Sequence, residues 1–321
     1  MNTQTTIEKI GFEKKEKSVQ LTRNARRREL LRNLVAYSFI SPWLIGFLGF
    51  VIGPMLASLY LSFTDYDMLS SPRWVGLDNY IYMFTSDDRF RTALKVTLIF
   101  VFISTPLKLA FALFIAMLMN MGYRGSGVYS TIYYVPSIIG GSVAVAVIWK
   151  QIFGREGAFN EFLGFFNVEG HNWIAHPDYA LWVLILLVVW QFGSPMLIFL
   201  AGLRQIPNEL YEAAAVDGAN AVQRFFRITI PMLTPVIFFN LVMQMIGGFM
   251  TFTQSFLITG GGPLDRTLFY ALYLYEKAFS HFQMGYASAL AWVLLFIVAL
   301  FTALIFKSSK AWVYYESEGG R

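Results

Sequence analysis

The chain has 321 residues, of which 56% are hydrophobic, 17% aromatic and only 14% charged. Soluble domains carry about 25% charged residues, so this composition excludes a single aqueous core and indicates an integral membrane protein. The formal net charge is +5. The chain contains no cysteine, which excludes disulfide scaffolds, thiolate metal sites and cysteine nucleophiles.

The first 33 residues are polar and basic, with nine Lys and Arg against four Glu and no apolar run that could form a signal-peptide core. Such a segment can serve as a nucleic-acid arm or a lipid-surface arm. Beside a membrane span, the positive-inside rule favours a retained cytoplasmic tail instead. We therefore predict a cytoplasmic tail over residues 1–36 and expect no nucleic-acid partner.

Six segments are long and apolar enough to cross about 30 Å of hydrocarbon, which takes roughly 20 residues. We predict that all are helices, because open strands leave backbone groups unsatisfied in lipid. The fold class is then all-α, with six transmembrane helices in one domain over residues 37–306. We expect kinks at the prolines within or near the spans, which are Pro42, Pro54, Pro106, Pro136 and Pro195. The predicted spans cover residues 37–64, 93–121, 129–153, 179–203, 232–257 and 284–306.

The distribution of charge predicts the orientation of the spans. With the N-terminus inside, 16 of the 25 Lys and Arg lie on the cytoplasmic side and seven lie in the outer loops. Eleven of the 20 acidic residues then lie outside. The positive-inside rule therefore favours cytoplasmic N- and C-termini, with a C-terminal tail over residues 307–321.

A polar connection over residues 204–231 separates the fourth and fifth spans, where a minimal loop would need only a few residues. Pro207 suits the first turn of a helix, and Glu209 and Glu212 place negative charge near its N-terminus, where the helix dipole favours it. Gly218 offers a stop. The connection is therefore predicted to begin with a short helix.

After that stop we predict a turn and a second helix over residues 221–229, ended by Pro231. Small side chains such as Ala213 and Ala214 let another protein approach the first helix closely, and the flanking carboxylates can pair with basic groups of that protein. An alanine-rich helix can equally be no more than a good helix former. Composition alone does not decide between these two interpretations.

Three further motifs accompany this loop. Their residues are Trp74-Val75-Gly76-Leu77-Asp78-Asn79-Tyr80 after the first span, Thr259-Gly260-Gly261-Gly262-Pro263 with Thr267 after the fifth, and Gly285-Tyr286-Ala287-Ser288-Ala289 at the start of the sixth. The motif of the loop itself comprises Glu212, Ala213, Ala214, Asp217, Gly218, Ala219, Phe225, Ile228, Ile230, Pro231 and Pro235. Together they resemble the permease subunits of binding-protein-dependent ABC importers, in the maltose and multiple-sugar branch, over roughly residues 38–306. The loop shows no departure from the EAA signature of that family.

The resemblance implies the type I ABC importer permease fold in a bacterial cytoplasmic membrane. In the family, the EAA loop inserts into a cleft of a separate ATPase subunit and transmits its closure to the spans. The implied partners are a second homologous permease, two ATP-binding subunits that bind the ATP and Mg²⁺, and an external solute-binding protein. No cofactor is expected on this chain, which is expected to be a transport subunit and not an enzyme. The residues that inherit the ATPase-coupling role are Glu212, Ala213, Ala214, Asp217, Gly218 and Ala219.

The sequence contains no G-x-x-x-x-G-K-[ST] phosphate-binding loop, so nucleotide is expected to bind elsewhere. The glycine-rich run that includes Gly261, Gly262 and Pro263 has no following lysine and falls on the outer side. We predict a turn there, near the outer gate or the binding-protein contact. The histidines His171, His176 and His281 lack helical ligand spacing and are expected to be structural or solvated.

Polar residues follow one face of the fifth span at helical spacing. Such a stripe can supply hydrogen bonds between helices, or it can line a pathway for sugar hydroxyls, which amides match well. The resemblance favours the pathway. The predicted pathway residues are Asn240, Gln244, Thr251, Gln254 and Ser255, with Trp190 and Gln191 of the fourth span as weaker candidates.

Lys108 is the one charge well inside a predicted span, where a charge costs at least ~2.5 kcal/mol. It can snorkel, pair with a carboxylate of a partner subunit, or attract an anionic sugar, and pairing or packing is the favoured interpretation because intramembrane charges commonly pair. The resemblance suggests an oligosaccharide from plant or algal polysaccharide, acidic if Lys108 contacts it.

Two other classes of protein fit less well. Secondary transporters and channels usually carry coupling carboxylates within their spans, and none of the 20 acidic residues lies inside a predicted span. A membrane-embedded enzyme would need a His/Asp/Glu constellation in the spans, which is absent from them. The sequence therefore favours an ATP-driven import subunit.

Overall fold

The computed structural model describes residues 33–122 and 125–314. Most of the predicted N-terminal tail, and the C-terminal tail from residue 315 onward, lie outside the described residues. The helices and strands, in chain order, are α1 (Asn33–Leu61), β1 (Thr64–Asp65), β2 (Arg73–Trp74), α2 (Asp78–Thr85), α3 (Asp88–Asn120), α4 (Ser126–Ile139), α5 (Val143–Phe153), α6 (Ala158–Gly164), α7 (Ala180–Trp190), α8 (Gly193–Leu203), α9 (Asn208–Val216), α10 (Ala221–Phe249), α11 (Ser255–Thr259), α12 (Tyr270–Tyr275), which a π-helical turn (Glu276–Ser280) follows directly, and α13 (Met284–Trp312).

Four described helices are long and apolar enough to cross a membrane alone, namely α1, α3, α10 and α13. Two bent helix pairs bring the number of spans to six if each pair counts as one. The only strands among the described residues are the two-residue pair β1–β2, antiparallel with Thr64 opposite Trp74. The prediction of an all-α membrane fold is therefore confirmed. The six predicted spans are reached when each bent pair counts as one, whereas six continuous helices are not found among the described residues.

The first span, α1, is apolar on all sides. None of its most apolar 18-residue window is buried, and the Phe39 and Phe50 side chains are 82% and 86% exposed. A helix that is hydrophobic all round fits a surrounding of lipid or of other membrane helices.

The predicted third span is broken into α4 and α5. The chain axis turns by 95° between the two segments on either side of the break, Gly127–Ile139 and Val143–Gly164. Gly140 and Gly141 stand at the break, where two successive glycines weaken a helix. The Ser142 side chain then accepts a hydrogen bond from the Val145 N–H (3.3 Å) and caps α5. The bend lies just after Pro136, which itself remains inside α4.

The predicted fourth span is broken into α7 and α8 with a bend of 43°. Pro195 has no N–H, so the Gln191 carbonyl four residues earlier loses its helical partner. The Ser137 hydroxyl of α4 donates to that carbonyl (3.0 Å) and accepts from the Ser194 N–H (3.0 Å). In return, Gln191 Nε2 donates to the Gly140 carbonyl (3.2 Å). The two breaks therefore satisfy each other's backbone groups.

Two of the prolines inside helices each follow a π-helical turn and do not end the helix. The turn Leu48–Ile52 precedes Pro54, and the turn Phe225–Thr229 precedes Pro231. In the second, the Ile230 N–H reaches back five residues to the Phe225 carbonyl. A widened turn relieves the clash of a proline ring with the carbonyl of the preceding turn. The prediction that Pro231 ends the helix is therefore wrong, and α10 continues to Phe249.

The core is organised around α3, which packs against α7, α8 and α10. Its side chains are shared between separate apolar clusters, in which Phe100, Phe199 and Phe249 are at most 1% exposed. Lipid tails are as apolar as these side chains, so packing here gains stability from van der Waals contact and not from removal of water. Close approach of the helices then decides stability.

We predict that Gly193→Ala destabilises the protein. A Cβ at this position would lie 2.5 Å from the Tyr133 carbonyl oxygen and 2.6 Å from the Tyr134 Cα, and both are backbone atoms of α4. Forcing α4 and α8 apart is expected to cost about 1–3 kcal/mol. The measurement is the melting temperature of the purified membrane complex.

The matched control is Gly141→Ala, since nothing lies within 4 Å of a Cβ there. It is expected to leave the melting temperature unchanged. Equal melting temperatures for the two variants would contradict close packing of α4 on α8.

Candidate functional site

The predicted coupling helix is present as α9, and it begins with Asn208. Pro207 occupies the N-cap position with extended backbone (ψ 133°), one residue before the first turn in which it was predicted. Its fixed φ suits both positions. Glu209 lies in the first turn as predicted, where its charge complements the helix dipole.

Gly218 ends α9 through a Schellman motif. Its φ is +78°, in the left-handed region that favours glycine. The Ala219 N–H donates to the Ala214 carbonyl (2.8 Å) and the Gly218 N–H to the Ala215 carbonyl (3.1 Å). The stop predicted at Gly218 is therefore confirmed, and its geometry requires a residue that tolerates positive φ.

The next helix, α10, starts three residues later, at Ala221, with a capping box. The Asn220 side chain accepts from the Gln223 N–H, and the Gln223 side chain accepts from the Asn220 N–H, both at 2.9 Å. The Tyr211 hydroxyl also lies 2.9 Å from the Thr229 hydroxyl, which ties α9 to the first turns of α10. These contacts fix the angle between the two helices.

The outer face of α9 is open. The helix has no buried residue, and Val216 is 89% exposed. Among the predicted coupling residues, Glu212, Ala213, Asp217 and Gly218 are exposed, whereas Ala214 and Ala219 are half-buried. A row of small and acidic side chains thus faces outward from a helix with a fixed position.

A polar cavity of about 180 Å³ lies between α3, the α7–α8 break and the end of α10. Five predicted pathway residues share it, because α10 ends at Phe249 and the chain turns there. The predicted stripe on one continuous helix is therefore wrong beyond Phe249, although the turn brings most of its residues together. The cavity is lined by the predicted Lys108, Gln191, Gln244, Thr251 and Gln254, and by Ser104, Thr105, Val188, Gly247 and Gly248.

Lys108 is half-buried at this cavity and has no ion-pair partner among residues 33–122 and 125–314. Ser104 and Thr105, both at most 3% exposed, lie one turn before it on the same face of α3. Helical spacing from Lys108 was a signal in the sequence that could have identified these two hydroxyls. The cavity therefore combines one cation with several hydroxyl and amide groups.

Three predicted pathway residues lie outside the cavity. The Trp190 ring packs on Trp149 with ring centroids 5.7 Å apart. The Ser255 hydroxyl donates to the Thr267 carbonyl. Asn240 is fully buried one turn before Gln244, and neither its Nδ2 nor its Oδ1 has a hydrogen-bond partner among the described residues.

The predicted turn around Gly261, Gly262 and Pro263 is present. Gly260 and Gly261 have positive φ values of 59° and 83°. The Thr267 N–H donates to the Gly261 carbonyl (3.2 Å), and the Thr267 hydroxyl bonds to the Gly262 carbonyl. Its role as an outer gate or binding-protein contact stays a prediction.

A buried carboxylate at the start of α3 was not predicted. Asp87 is 5% exposed, caps α3 through the Phe90 N–H (2.9 Å), and accepts hydrogen bonds from the Tyr273 and Tyr286 hydroxyls. Burial opposes its ionised form, but these hydrogen bonds and nearby Lys277 outweigh that effect and hold the pKa of Asp87 below its usual value. The sequence could not show this cluster, because Asp87 lies almost 200 residues before Tyr273 and Tyr286 in the chain.

Two of the three histidines meet in the loop before α7. The His171 and His176 rings lie 5.9 Å apart, and both contact the Tyr179 ring. No group of three His, Asp or Glu side chains in the described part of the chain could hold a metal ion. These two histidines therefore pack against each other and against an aromatic ring.

Comparison with known proteins identifies the family. Residues 109–311 match the family described as the inner membrane component of binding-protein-dependent transport systems. The probable ABC transporter permease protein YesP of Bacillus subtilis is 58% identical over 89% of this chain and 94% of its own length. The multiple sugar-binding transport system permease protein MsmF of Streptococcus mutans is 31% identical over 88% of this chain and 98% of its own length.

Solved structures share the fold. The bacterial alginate ABC transporter, solved with an alginate pentasaccharide-bound periplasmic protein, contains a chain that matches with a TM-score of 0.76. The match has 21% identity and covers 88% of this chain and 96% of that one. With the apolar helices, these relationships show that the chain belongs to the inner membrane permease components of binding-protein-dependent ABC importers and is a multi-pass inner membrane protein.

Proposed function

We propose that this chain is one permease subunit of an ATP-driven importer that moves an oligosaccharide, delivered by an external binding protein, across the bacterial inner membrane. The observation that carries the proposal is that α10 begins at the exposed helix α9 and ends at the polar cavity. At 1.5 Å per residue, its 29 residues span about 43 Å. One continuous helix thus joins a candidate docking surface to a candidate pathway.

The contacts between α9 and α10 couple the movement of one helix to the movement of the other. The Gly218 turn, the capping box at Asn220 and the Tyr211–Thr229 contact hold α9 on α10, so a displacement of α9 moves α10 as well. Gln244 lies on α10 and borders the cavity. ATP-driven closure of a partner around α9 would therefore change the shape of the cavity. This assigns ATPase coupling to Glu212, Ala213, Ala214, Asp217, Gly218 and Ala219.

The charge distribution supports an orientation with both termini and α9 in the cytoplasm. ATP and Mg²⁺ are then bound by two ATPase subunits, one of which receives α9. A second permease completes the pathway, since the cavity of this chain opens at its surface. The substrate reaches it from the binding protein on the other side.

The chemistry of the cavity supports an oligosaccharide with an acidic group. Hydroxyl and amide side chains match sugar hydroxyls, and Lys108 offers a cation that lacks a partner in the described chain. MsmF is named for multiple sugars, and a further relative from Bacillus subtilis, AraP, for arabinooligosaccharides. The structural neighbour imports alginate, an acidic polysaccharide.

We predict that Glu212→Lys and Gly218→Trp each abolish ATP-dependent uptake while the protein remains in the membrane. The first reverses a charge on the docking face, and the second places a bulky side chain in a left-handed backbone conformation. Uptake of the oligosaccharide by cells and the amount of the subunit in isolated membranes are measured together.

The matched control is Glu161→Lys, which makes the same charge change at an exposed position of α6, on the other side of the predicted membrane. It is expected to keep normal uptake. Normal transport by the Glu212 and Gly218 variants would exclude α9 as the coupling element.

We predict that Lys108→Gln weakens uptake of acidic oligosaccharides selectively. A charge-assisted hydrogen bond contributes about 1.5–3 kcal/mol, so the KM for an acidic oligosaccharide is expected to rise about 10- to 100-fold. Uptake of a neutral oligosaccharide of similar length should change little. Transport into proteoliposomes that contain the whole importer measures both.

Lys95→Gln is the control, because it removes the same charge from an exposed position on the same helix. It should alter neither KM. If acidic and neutral oligosaccharides were transported equally well by the Lys108 variant, the assignment of an acidic substrate would be wrong.

A further inference from the structure

A second pocket, of about 310 Å³, shares no lining residue with the cavity. It is bounded by the β1–β2 hairpin, the first turns of α2 and the start of α13, and we call it the acidic tyrosine pocket. Its volume is at the lower end of the range of ligand pockets. The side chains that define it are Asp65, Asp78, Tyr66, Tyr82 and Tyr286.

The pocket carries negative charge. Asp65 pairs with Arg73 (2.8 Å), but Asp78 is exposed and has no ion-pair partner among the described residues. No Lys or Arg lines the pocket in this part of the chain. Tyrosine faces attract cations as well, through their quadrupole, and the Lys277 ammonium already lies 5.6 Å from the centroid of the Tyr286 ring. The unpaired Asp78 carboxylate and the remaining tyrosines, Tyr66 and Tyr82, therefore favour a guest cation.

The pocket is also preformed. Asn79 Nδ2 donates to the Ser62 and Thr64 carbonyls, both at 2.9 Å, and thereby fixes α2 on the hairpin. The Gly285 N–H donates to the Tyr66 carbonyl (3.0 Å) and fixes α13 on the same hairpin. Tyr286, whose hydroxyl bonds to Asp87, contacts Tyr82 edge to face with ring centroids 5.5 Å apart. A guest side chain would meet a rigid wall, which lowers the entropy cost of binding.

The pocket and α9 lie at opposite ends of the spans. The 29 residues of α13 cover about 43 Å from Met284, beside the pocket, to Trp312. The Trp312 ring packs on Phe238 of α10, and the Tyr314 N–H donates to the Thr234 hydroxyl near the middle of the same helix. With α9 in the cytoplasm, the pocket therefore faces outward.

We propose that the acidic tyrosine pocket receives a lysine or arginine side chain of the external binding protein when that protein docks. The inference rests on the proposed function, which supplies the orientation and the partner. An acidic oligosaccharide would be repelled by Asp78. A bound metal ion would require more carboxylate ligands, and no group of three potential ligands occurs among the described residues.

The test uses the whole importer in lipid nanodiscs and its substrate-loaded binding protein. The concentration of binding protein that half-saturates stimulation of ATP hydrolysis is measured at low and at high salt. Asp78→Asn is expected to raise that concentration about tenfold at low salt, which corresponds to about 1.4 kcal/mol. The difference from wild type should shrink at high salt, because exposed charges are screened.

Two further variants make the result specific. Asp78→Glu keeps the charge and is expected to restore half-saturation close to that of wild type. Asp88→Asn removes the same charge from a 91% exposed side chain at the same end of the molecule, outside the pocket, and should have little effect. Folding of each variant is checked by its melting temperature.

An unchanged half-saturating concentration for Asp78→Asn would overturn the proposal, as would an equal rise for Asp88→Asn. Binding of free oligosaccharide that depends on Asp78 would assign the pocket to substrate and overturn it as well. Failure of the binding protein to stimulate the wild-type complex would instead refute the proposed function, and the docking pocket with it.

Discussion

Backbone groups released by a helix break inside a membrane must find partners within the protein, because lipid offers none. The architecture depends on how this chain meets that requirement at its two bent spans. Ser137 bonds to both sides of the α7–α8 break, and the Gln191 side chain returns to the Gly140 carbonyl at the other break. Neither break is satisfied without the other, so the two spans are fixed as a pair. Gly193 allows the close approach that these bonds require.

The polar cavity follows from that arrangement. It lies beside the α7–α8 break. The end of α10 forms another of its walls, and the chain leaves helical geometry there, after Phe249. Gln191 takes part in both features, since it bonds to a broken helix and borders the cavity. Irregular backbone at membrane depth is tolerated where it is buried in protein or lines a water-filled space. The same breaks that need internal partners therefore place polar groups where a hydrophilic substrate could pass.

The two ends of the molecule are built differently. At one end α9 is exposed and is held by a few local contacts, of which Gly218 and the Asn220 capping box are the main ones. At the other end, Asp87 joins α3, the α12 region and α13 through Tyr273 and Tyr286. A cross-linked end and, at the opposite end of a long span, an exposed helix suit a protein that is moved from one side. Local contacts could be anticipated from neighbouring residues, whereas the Asp87 cluster joins segments that are distant in the chain.

The approximate positions of the apolar segments, the existence of α9 and its end at Gly218 could all be predicted from the sequence. These features depend on local causes: apolar length, helix propensity and the need for glycine at positive φ. The breaks in the spans, the continuation of α10 past Pro231 and the set of polar residues that meet could not be predicted in this way, because they depend on how the helices pack. Lys108 and Gln244 share a cavity while Asn240 does not, because the meeting of side chains depends on helix packing and on a change of direction at Phe249. Such contacts depend on packing between segments that are distant in the chain, and a local sequence pattern cannot predict that packing.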